Sequence, residues 1–188
     1  MPPSPRRQAM RMSSARHFPL PLPAPTAACW SLCLHAHQGV PLFADWRCAR
    51  AAAASLALPG QWPGARLLCW VLLPQRWCAL VQAPGKATVL QLALAARQAA
   101  GDAVNRARGR GGTVWQTDIE ATALAPQADH RHFARSLVAL PLRAGLAERI
   151  GAYPYWDAVW LPDQRAAAAL LAAAPHPPAQ LAATGGAR

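Results

Sequence analysis

The stretch 73–80, LPQRWCAL, places an arginine and a cysteine two residues apart, directly after a break that contains proline. Side chains two apart on a strand point to the same face, so Arg76 and Cys78 are expected to lie side by side. A cation beside a cysteine lowers the pKa of the thiol and makes it a nucleophile. The pair therefore predicts either a reactive thiol or, as is commoner on a strand, a small packed residue.

Ser136 is a second candidate nucleophile, in the stretch predicted as the third helix. A serine needs a base that removes its proton, and the nearest histidines in sequence are His130 and His132. Residues two apart on a helix point in different directions, so these two do not form a site together. Serine catalysis is the weaker interpretation of this residue.

Four residues near the first predicted strand have the composition of a zinc site: Cys29, Cys33, His35 and His37. No second cluster of cysteine and histidine completes such a site, so packed or solvated side chains are the favoured interpretation and no metal is expected. The five cysteines have no regular spacing. This usage predicts reduced thiols and a cytoplasmic protein rather than a disulfide framework.

Charge is the strongest signal in the composition. The 188 residues include 19 basic and 8 acidic side chains, a net charge of +11, and Lys86 is the only lysine. Arginine offers a planar set of donors that suits phosphate, and so basic a domain favours nucleic acid as its partner. The alternative is a GC-rich genome, whose codons favour arginine, alanine and proline.

Several residues are candidates for that contact. The predicted second helix and its exit contain four arginines and only Asp102 to offset them, and two more arginines occur in the hairpin and the third helix. The predicted DNA-binding residues are Arg76, Arg97, Arg106, Arg108, Arg110 and Arg135. Among the eight tryptophans, which can stack on unpaired bases, Trp77 is the candidate beside Arg76, although it points to the opposite face.

The predicted elements follow the order strand, helix, strand, strand, helix, strand, helix. The strands are 29–34, 66–73, 77–82 and a fourth piece at 113–115 that resumes near 121–124. Helices begin at Trp46 after a cap at Asp45, run from a cap at Thr88 to about 108, and span about 128–140, where Pro141 ends the third. This order predicts an α+β fold, a ferredoxin-like sandwich with an antiparallel sheet of about four strands and helices on one face.

Three segments are expected along the chain. Residues 1–25 are a basic, proline-rich disordered arm, 26–161 a DNA-binding domain, and 162–188 an alanine-rich low-complexity tail. The longest strongly apolar stretch, 67–73, is too short to cross a bilayer, and no secretory signal is evident. We therefore expect no membrane partner, and the oligomeric state stays open.

Four stretches resemble one known family: PLFADW at 41–46, VLLPQRWCALV at 71–81, VWQ at 114–116 and PLRAGLAERIGAYPYWDAVWL at 141–161. In order and spacing they are similar to the REP-associated tyrosine transposases, relatives of the IS200-like transposases with the HUH single-strand endonuclease fold. The resemblance implies a ferredoxin-like domain in which a tyrosine attacks a DNA phosphate. It also implies that two histidines at His-x-His spacing hold magnesium or manganese, and that the target is a hairpin with a single-stranded tag.

The chain departs from the family at four positions that carry this chemistry. Arg76 and Cys78 occupy the two histidine positions, Ser136 the tyrosine position, and Leu140 the polar position one helical turn later. Arginine does not lose its proton to become a ligand, and a thiol is a soft ligand poorly matched to magnesium or manganese. The degenerate site predicts lost cleavage and no cofactor.

Three hypotheses remain at this point. The first is a transposase-family protein that binds single-stranded or hairpin DNA and is catalytically inactive. The second is an active DNA endonuclease with substituted chemistry, using Arg76 in place of the metal and Ser136 or Tyr153 as nucleophile. The third is a decayed or co-opted protein that binds no DNA. The order given is the order in which the residues favour them.

Overall fold

A computed structural model describes residues 27–160 of the chain. The predicted arm 1–25 and tail 162–188 lie outside the described residues. The strands are β1 (Ala28–Ala36), β2 (Arg66–Leu73), β3 (Arg76–Ala83), β4 (Trp115–Ala123) and β5 (Trp156–Ala158). The helices are α1 (Trp46–Leu56), α2 (Lys86–Ala107), α3 (His130–Val138) and the single turn α4 (Leu140–Arg143).

The strands form one sheet in the order β4-β1-β3-β2-β5, and every pairing is antiparallel. The first four strands have the order of a ferredoxin-like sheet, so the predicted α+β class is confirmed. β5 adds a fifth strand at the β2 edge, where Val71 pairs with Trp156. The sequence prediction of about four strands missed it because three residues are too few to show a period.

One face of the sheet is covered by α1 and α2, as predicted. Alternate residues of β1 and β3, such as Leu32, Leu34 and Trp77, point into this layer and are fully buried. The helices meet them mainly through alanines, including Ala49 and Ala96. Because the distance between packed elements is set by the side chains at the contact, small residues let both helices lie close to the sheet.

The opposite face is covered as well, which differs from the prediction of helices on one face only. There α3 packs through Ala134 and Leu137 on residues that include Val71, Cys78 and Leu80. The reason lies in β2, whose last six residues are all buried. A strand that is apolar on both faces must be covered on both faces.

Element boundaries agree closely where a strong local signal marks them. Asp45 caps α1 as predicted, because its Oδ1 accepts hydrogen bonds from the backbone N–H groups of Arg47 and Cys48 at 2.8 and 3.0 Å. The predicted cap at Thr88 is wrong, since the cap is Gly85, three residues earlier, and α2 begins at Lys86. None of the helices within 27–160 is long and apolar enough to cross a membrane.

Pro141 does not end the third helix. That helix stops at Val138, and Pro141 lies in the first turn of α4. The first turn is the place in a helix that tolerates proline, because its backbone nitrogen needs no acceptor there.

Candidate nucleic-acid interface

Arg76 is the first residue of β3 and lies at the end of the central hairpin. It is half-buried and pairs across the ladder with His35 of β1 and Leu73 of β2. The turn before it is tied to β1, since the backbone N–H of Ala36 donates to the carbonyl of Gln75 at 2.8 Å. By the alternation of strand side chains, Arg76 and Cys78 share the face that α3 covers. The predicted neighbourhood of these two residues is confirmed.

Cys78 is covalently paired. It lies directly opposite Cys33 of β1, with Cα atoms 4.4 Å apart, and the two form a disulfide. That spacing is typical of a pair of facing residues that exchange no backbone hydrogen bond. The prediction that all the cysteines are reduced is wrong for this pair, and so is the alternative of a reactive thiol activated by Arg76. The register between β1 and β3, which the sequence does not specify, brings the two residues together.

The remaining three cysteines are free and buried. Burial raises the pKa of the Cys29 thiol, and it raises that of Cys69 to about 12. Burial is also the main cause of the raised pKa of Cys48, with the charge of Asp45 next. All three are therefore protonated at neutral pH and poor nucleophiles.

The zinc-like set of the first strand does not come together. Cys29 lies beside His130 of α3, with Sγ and Nδ1 3.5 Å apart, and Cys33 is used by the disulfide. Nε2 of His35 lies 3.2 Å from a carboxylate oxygen of Glu120 on β4, an ion pair when the histidine is protonated but not a well-formed hydrogen bond. Among residues 27–160, no three histidine, cysteine, aspartate or glutamate side chains are grouped to hold a metal ion.

The other two degenerate positions lie on neighbouring helices, Ser136 on α3 and Leu140 at the start of α4. Asp129 caps α3 by accepting from the backbone N–H groups of Arg131 and His132 at 2.9 and 3.0 Å. Ser136 is half-buried on this helix, and Leu140 packs in the same apolar cluster as Cys78. The sheet face that α3 covers is therefore closed by hydrocarbon and sulfur where the family resemblance implies a metal and its ligands.

Tyr153, the alternative nucleophile, has a structural partner. Its hydroxyl donates to the carbonyl of Leu72 at 2.6 Å and so anchors the segment before β5 to the end of β2. Burial, followed by the nearby Tyr155, raises the pKa of the Tyr153 hydroxyl to about 12. A hydroxyl that holds its proton so tightly is a poor attacking group at neutral pH.

The six predicted DNA-binding arginines fall into two groups. Arg97 donates from Nη1 to the backbone carbonyls of Gln116 and Thr117 on β4. Arg108 donates to Oδ1 of Asn105 and to the carbonyls of the turn after α2. These two guanidinium groups stabilise the fold and have fewer donors left for phosphate. The exposed members are Arg106, Arg110 and Arg135, while Arg76 is half-buried at the end of the sheet.

The tryptophan that the sequence singled out is in the core. Trp77 is fully buried and stacks on Trp62, with ring centroids 5.9 Å apart, so it has no face available to a base. The exposed tryptophan is Trp46 at the start of α1, with 60% of its surface accessible. Its position could have identified it. Trp46 directly follows the helix cap Asp45, and the first buried residue of α1 is Cys48.

Comparison with solved structures shows the fold of the chain. Neither a protein-family model nor a curated protein matches the chain. Among solved structures, the chain is similar to a REP-associated tyrosine transposase bound to a REP hairpin, with a TM-score of 0.51 and 17% identity over 77% of this chain and 82% of that one. A protein from Deinococcus radiodurans R1, described as a transposase, is more distant, with a TM-score of 0.39 and 14% identity over 63% of this chain and 90% of that one. The fold that the sequence resemblance implied is confirmed by the first of these structures.

Proposed function

We propose that this protein is a member of the REP-associated tyrosine transposase family that binds single-stranded or hairpin DNA and no longer cleaves it. The observation that carries the proposal is the replacement of four reactive positions within an otherwise shared fold. The fold likeness covers most of both chains, and its counterpart is bound to a REP hairpin.

Loss of cleavage follows from what now occupies the site. Cys78 is tied to Cys33, and its neighbour Arg76 has no lone pair to offer a cation. Ser136 and Leu140 stand where the resemblance implies a nucleophile and a polar neighbour. A metal-assisted attack on phosphate needs both a ligand set and an activated nucleophile, and these four residues supply neither. Tyr153 does not compensate, because its hydroxyl is committed to Leu72.

DNA affinity has a physical source that survives these changes. Arg76 places a permanent positive charge at the end of β3 where the resemblance implies a divalent metal ion. A guanidinium can hold a phosphate with paired hydrogen bonds and no chemistry. Arg135 of α3 is exposed and adds charge to the layer that covers this face of the sheet. We propose that these two residues contact the DNA backbone and set its position.

The test is the salt dependence of binding to a labelled hairpin DNA with a single-stranded tag. Each lost phosphate contact lowers the steepness of log K against log salt by about 0.7 to 0.9. Arg76→Ala and Arg135→Ala should each show this decrease. Arg66→Ala is the matched control, because Arg66 is exposed at the far end of the same hairpin, opposite Gln82. Retention of the hairpin that is insensitive to salt, or equal effects of all three variants, would contradict the proposal.

A further inference from the structure

A basic groove with an exposed aromatic wall lies in the layer formed by α1 and α2, which covers the face of the sheet opposite Cys78. Its position follows from α1, which begins with Trp46 and contains two arginines and no acid. The indole of Trp46 is the most exposed of the large apolar side chains in the described part of the chain. The backbone under it is held in place, because Asp45 caps the helix and the Tyr155 hydroxyl donates to the carbonyl of Trp46 at 3.4 Å.

The groove is a shallow depression, open to solvent, between α1 and the end of α2, with a volume of about 370 Å³. Trp46, Arg47 and Arg50 supply its aromatic and charged walls. The rest of the lining is alanine: Ala51, Ala54 and Ala107. A floor of methyl groups leaves room for a flat ring, and the arginine side chains lie within one helical turn of the indole.

Positive charge predominates around the groove. Arg47 and Arg50 are exposed, and Arg108 and Arg110 lie close enough that both lower the pKa of the Cys48 thiol, against the larger effect of its burial. The nearby acid is Asp45, whose carboxylate accepts the first backbone N–H groups of α1. The groove therefore presents exposed arginines to solvent, and the Asp45 carboxylate, which lies near Arg47, also accepts the first backbone N–H groups of the helix.

The guanidinium of Arg47 already lies over the indole, 5.7 Å from the ring centroid. Such an arrangement holds the ring and the cation together, while Trp46 keeps 60% of its surface accessible. An exposed indole beside arginines is the combination that binds unpaired bases by stacking and their phosphates by charge. An acidic peptide would use the arginines but would gain little from the ring.

We propose that this groove is a second nucleic-acid site, which takes single-stranded DNA or RNA by stacking a base on Trp46 and holding adjacent phosphates on Arg47 and Arg50. The site lies on the side of the sheet covered by α1 and α2, and it does not depend on the hairpin contact proposed for Arg76. It is nevertheless near that end of the sheet, since the backbone N–H of Phe43 donates to the carbonyl of Pro74 at 2.9 Å.

The linkage between the two ends is short. Phe43 precedes Trp46 by three residues and Pro74 precedes Arg76 by two, so the two side chains are attached to backbone positions at most about 25 Å apart. A single strand of a few nucleotides can therefore reach from one site to the other. A hairpin with an unpaired extension would be held at both.

The experiment uses the full chain and an unstructured oligothymidylate of about six nucleotides, a length within the range of known single-strand sites. Binding is followed by fluorescence anisotropy of the labelled oligonucleotide and by quenching of protein tryptophan emission. Trp46→Ala should weaken binding about tenfold or more and remove most of the quenching. Trp46→Phe should recover part of the affinity, because it restores a stacking ring.

Two further variants separate stacking from charge. The double variant Arg47→Ala/Arg50→Ala should lower the salt slope by about 1.4, the value for two contacts to a single strand. The control Arg131→Ala/Arg149→Ala removes the same charge from exposed positions elsewhere and should leave the slope unchanged. In the hairpin assay, the decrease in salt slope that Arg76→Ala causes should persist in a Trp46→Ala background, which separates this site from the hairpin contact.

The outcomes that overturn the proposal are specific. If Trp46→Ala protein is folded, as judged by circular dichroism, and still binds oligothymidylate as tightly as wild type, no base stacks on Trp46. If the two arginine pairs change the salt slope equally, the groove contributes only general surface charge. Polyglutamate that binds as tightly as oligothymidylate, with the same dependence on Trp46, assigns the groove to an acidic protein partner instead.

Discussion

Reduction of the Cys33–Cys78 disulfide is expected to destabilise the protein strongly. The bond joins β1 to β3 at the centre of the sheet, between residues separated by 45 positions in sequence. Both strands also pair through backbone hydrogen bonds along their whole length, so the native structure does not need the bond to hold its shape. The main effect of the bond is therefore on the unfolded chain, which it prevents from expanding.

The size of the effect follows from the loop that the bond closes. A loop of 45 residues removes about 13 cal/mol/K of entropy from the unfolded chain, which is about 4 kcal/mol at 25 °C in the chain-entropy description. For a domain of this size, 1 kcal/mol moves the melting temperature by about 3–4 °C. Reduction should accordingly lower the melting temperature by about 12–16 °C.

The assay is thermal unfolding followed by circular dichroism, on samples prepared with and without a thiol reductant. The double variant Cys33→Ala/Cys78→Ala should melt near the reduced wild type and ignore the reductant. Cys48→Ala is the control, since Cys48 is a free buried thiol of α1, and this variant should keep the full response to reductant. The account is refuted if unreduced, denatured wild type titrates all five of its thiols, or if reductant leaves its melting temperature unchanged.

Two other substitutions test how buried polar groups contribute. Nε1 of Trp62 donates to the carbonyl of Leu56 at 2.8 Å, whereas Nε1 of Trp77 is buried without a partner in the described structure. In urea denaturation, Trp62→Phe should therefore lower the free energy of unfolding by about 1 kcal/mol more than Trp77→Phe does. Equal costs would show that this hydrogen bond contributes nothing. For Tyr153, the raised pKa of about 12 favours the neutral form in the folded state, so its contribution is complete below pH 10 and is lost as the pH rises from 10 to 12. Tyr153→Phe should weaken the protein at neutral pH through the lost bond to Leu72 and should flatten the alkaline end of the stability profile; an unchanged alkaline slope would contradict this assignment.

The sequence specified the local elements well wherever a strong local signal was present. The bounds of β2 at 66–73 were predicted without error, because a proline break and an apolar run mark its end. Asp45 as a cap was equally clear, since a short acidic side chain directly before a run of helix formers has one common role. The same continuous apolar run in β2 also indicates burial on both faces.

The contents of the candidate site depended on pairing between distant strands. Cys33 and Cys78 meet only because β1 and β3 pair in one register, and a shift by one residue would turn each side chain to the other face. The arginines show the same limit. Arg97 and Arg106 are alike in sequence, but the nearness of β4 carbonyls engages Arg97 and leaves Arg106 exposed. Residue type identified the arginines as candidates for phosphate contact. Tertiary contacts decide which of those arginines keep donors available for it.

Binding without cleavage is tested most directly by recovering the DNA from its complex with the protein. A labelled hairpin with a single-stranded tag is incubated with wild-type protein and magnesium or manganese, the complex is isolated on a native gel, and its DNA is run under denaturing conditions. The variant with Arg76→His, Cys78→His, Ser136→Tyr and Leu140→Asn serves as the positive control for cleavage. We predict that wild type yields a retarded complex from which the DNA is recovered intact and free of protein. Cleaved DNA, a covalent protein–DNA adduct, or the absence of any retarded complex would contradict the proposed function.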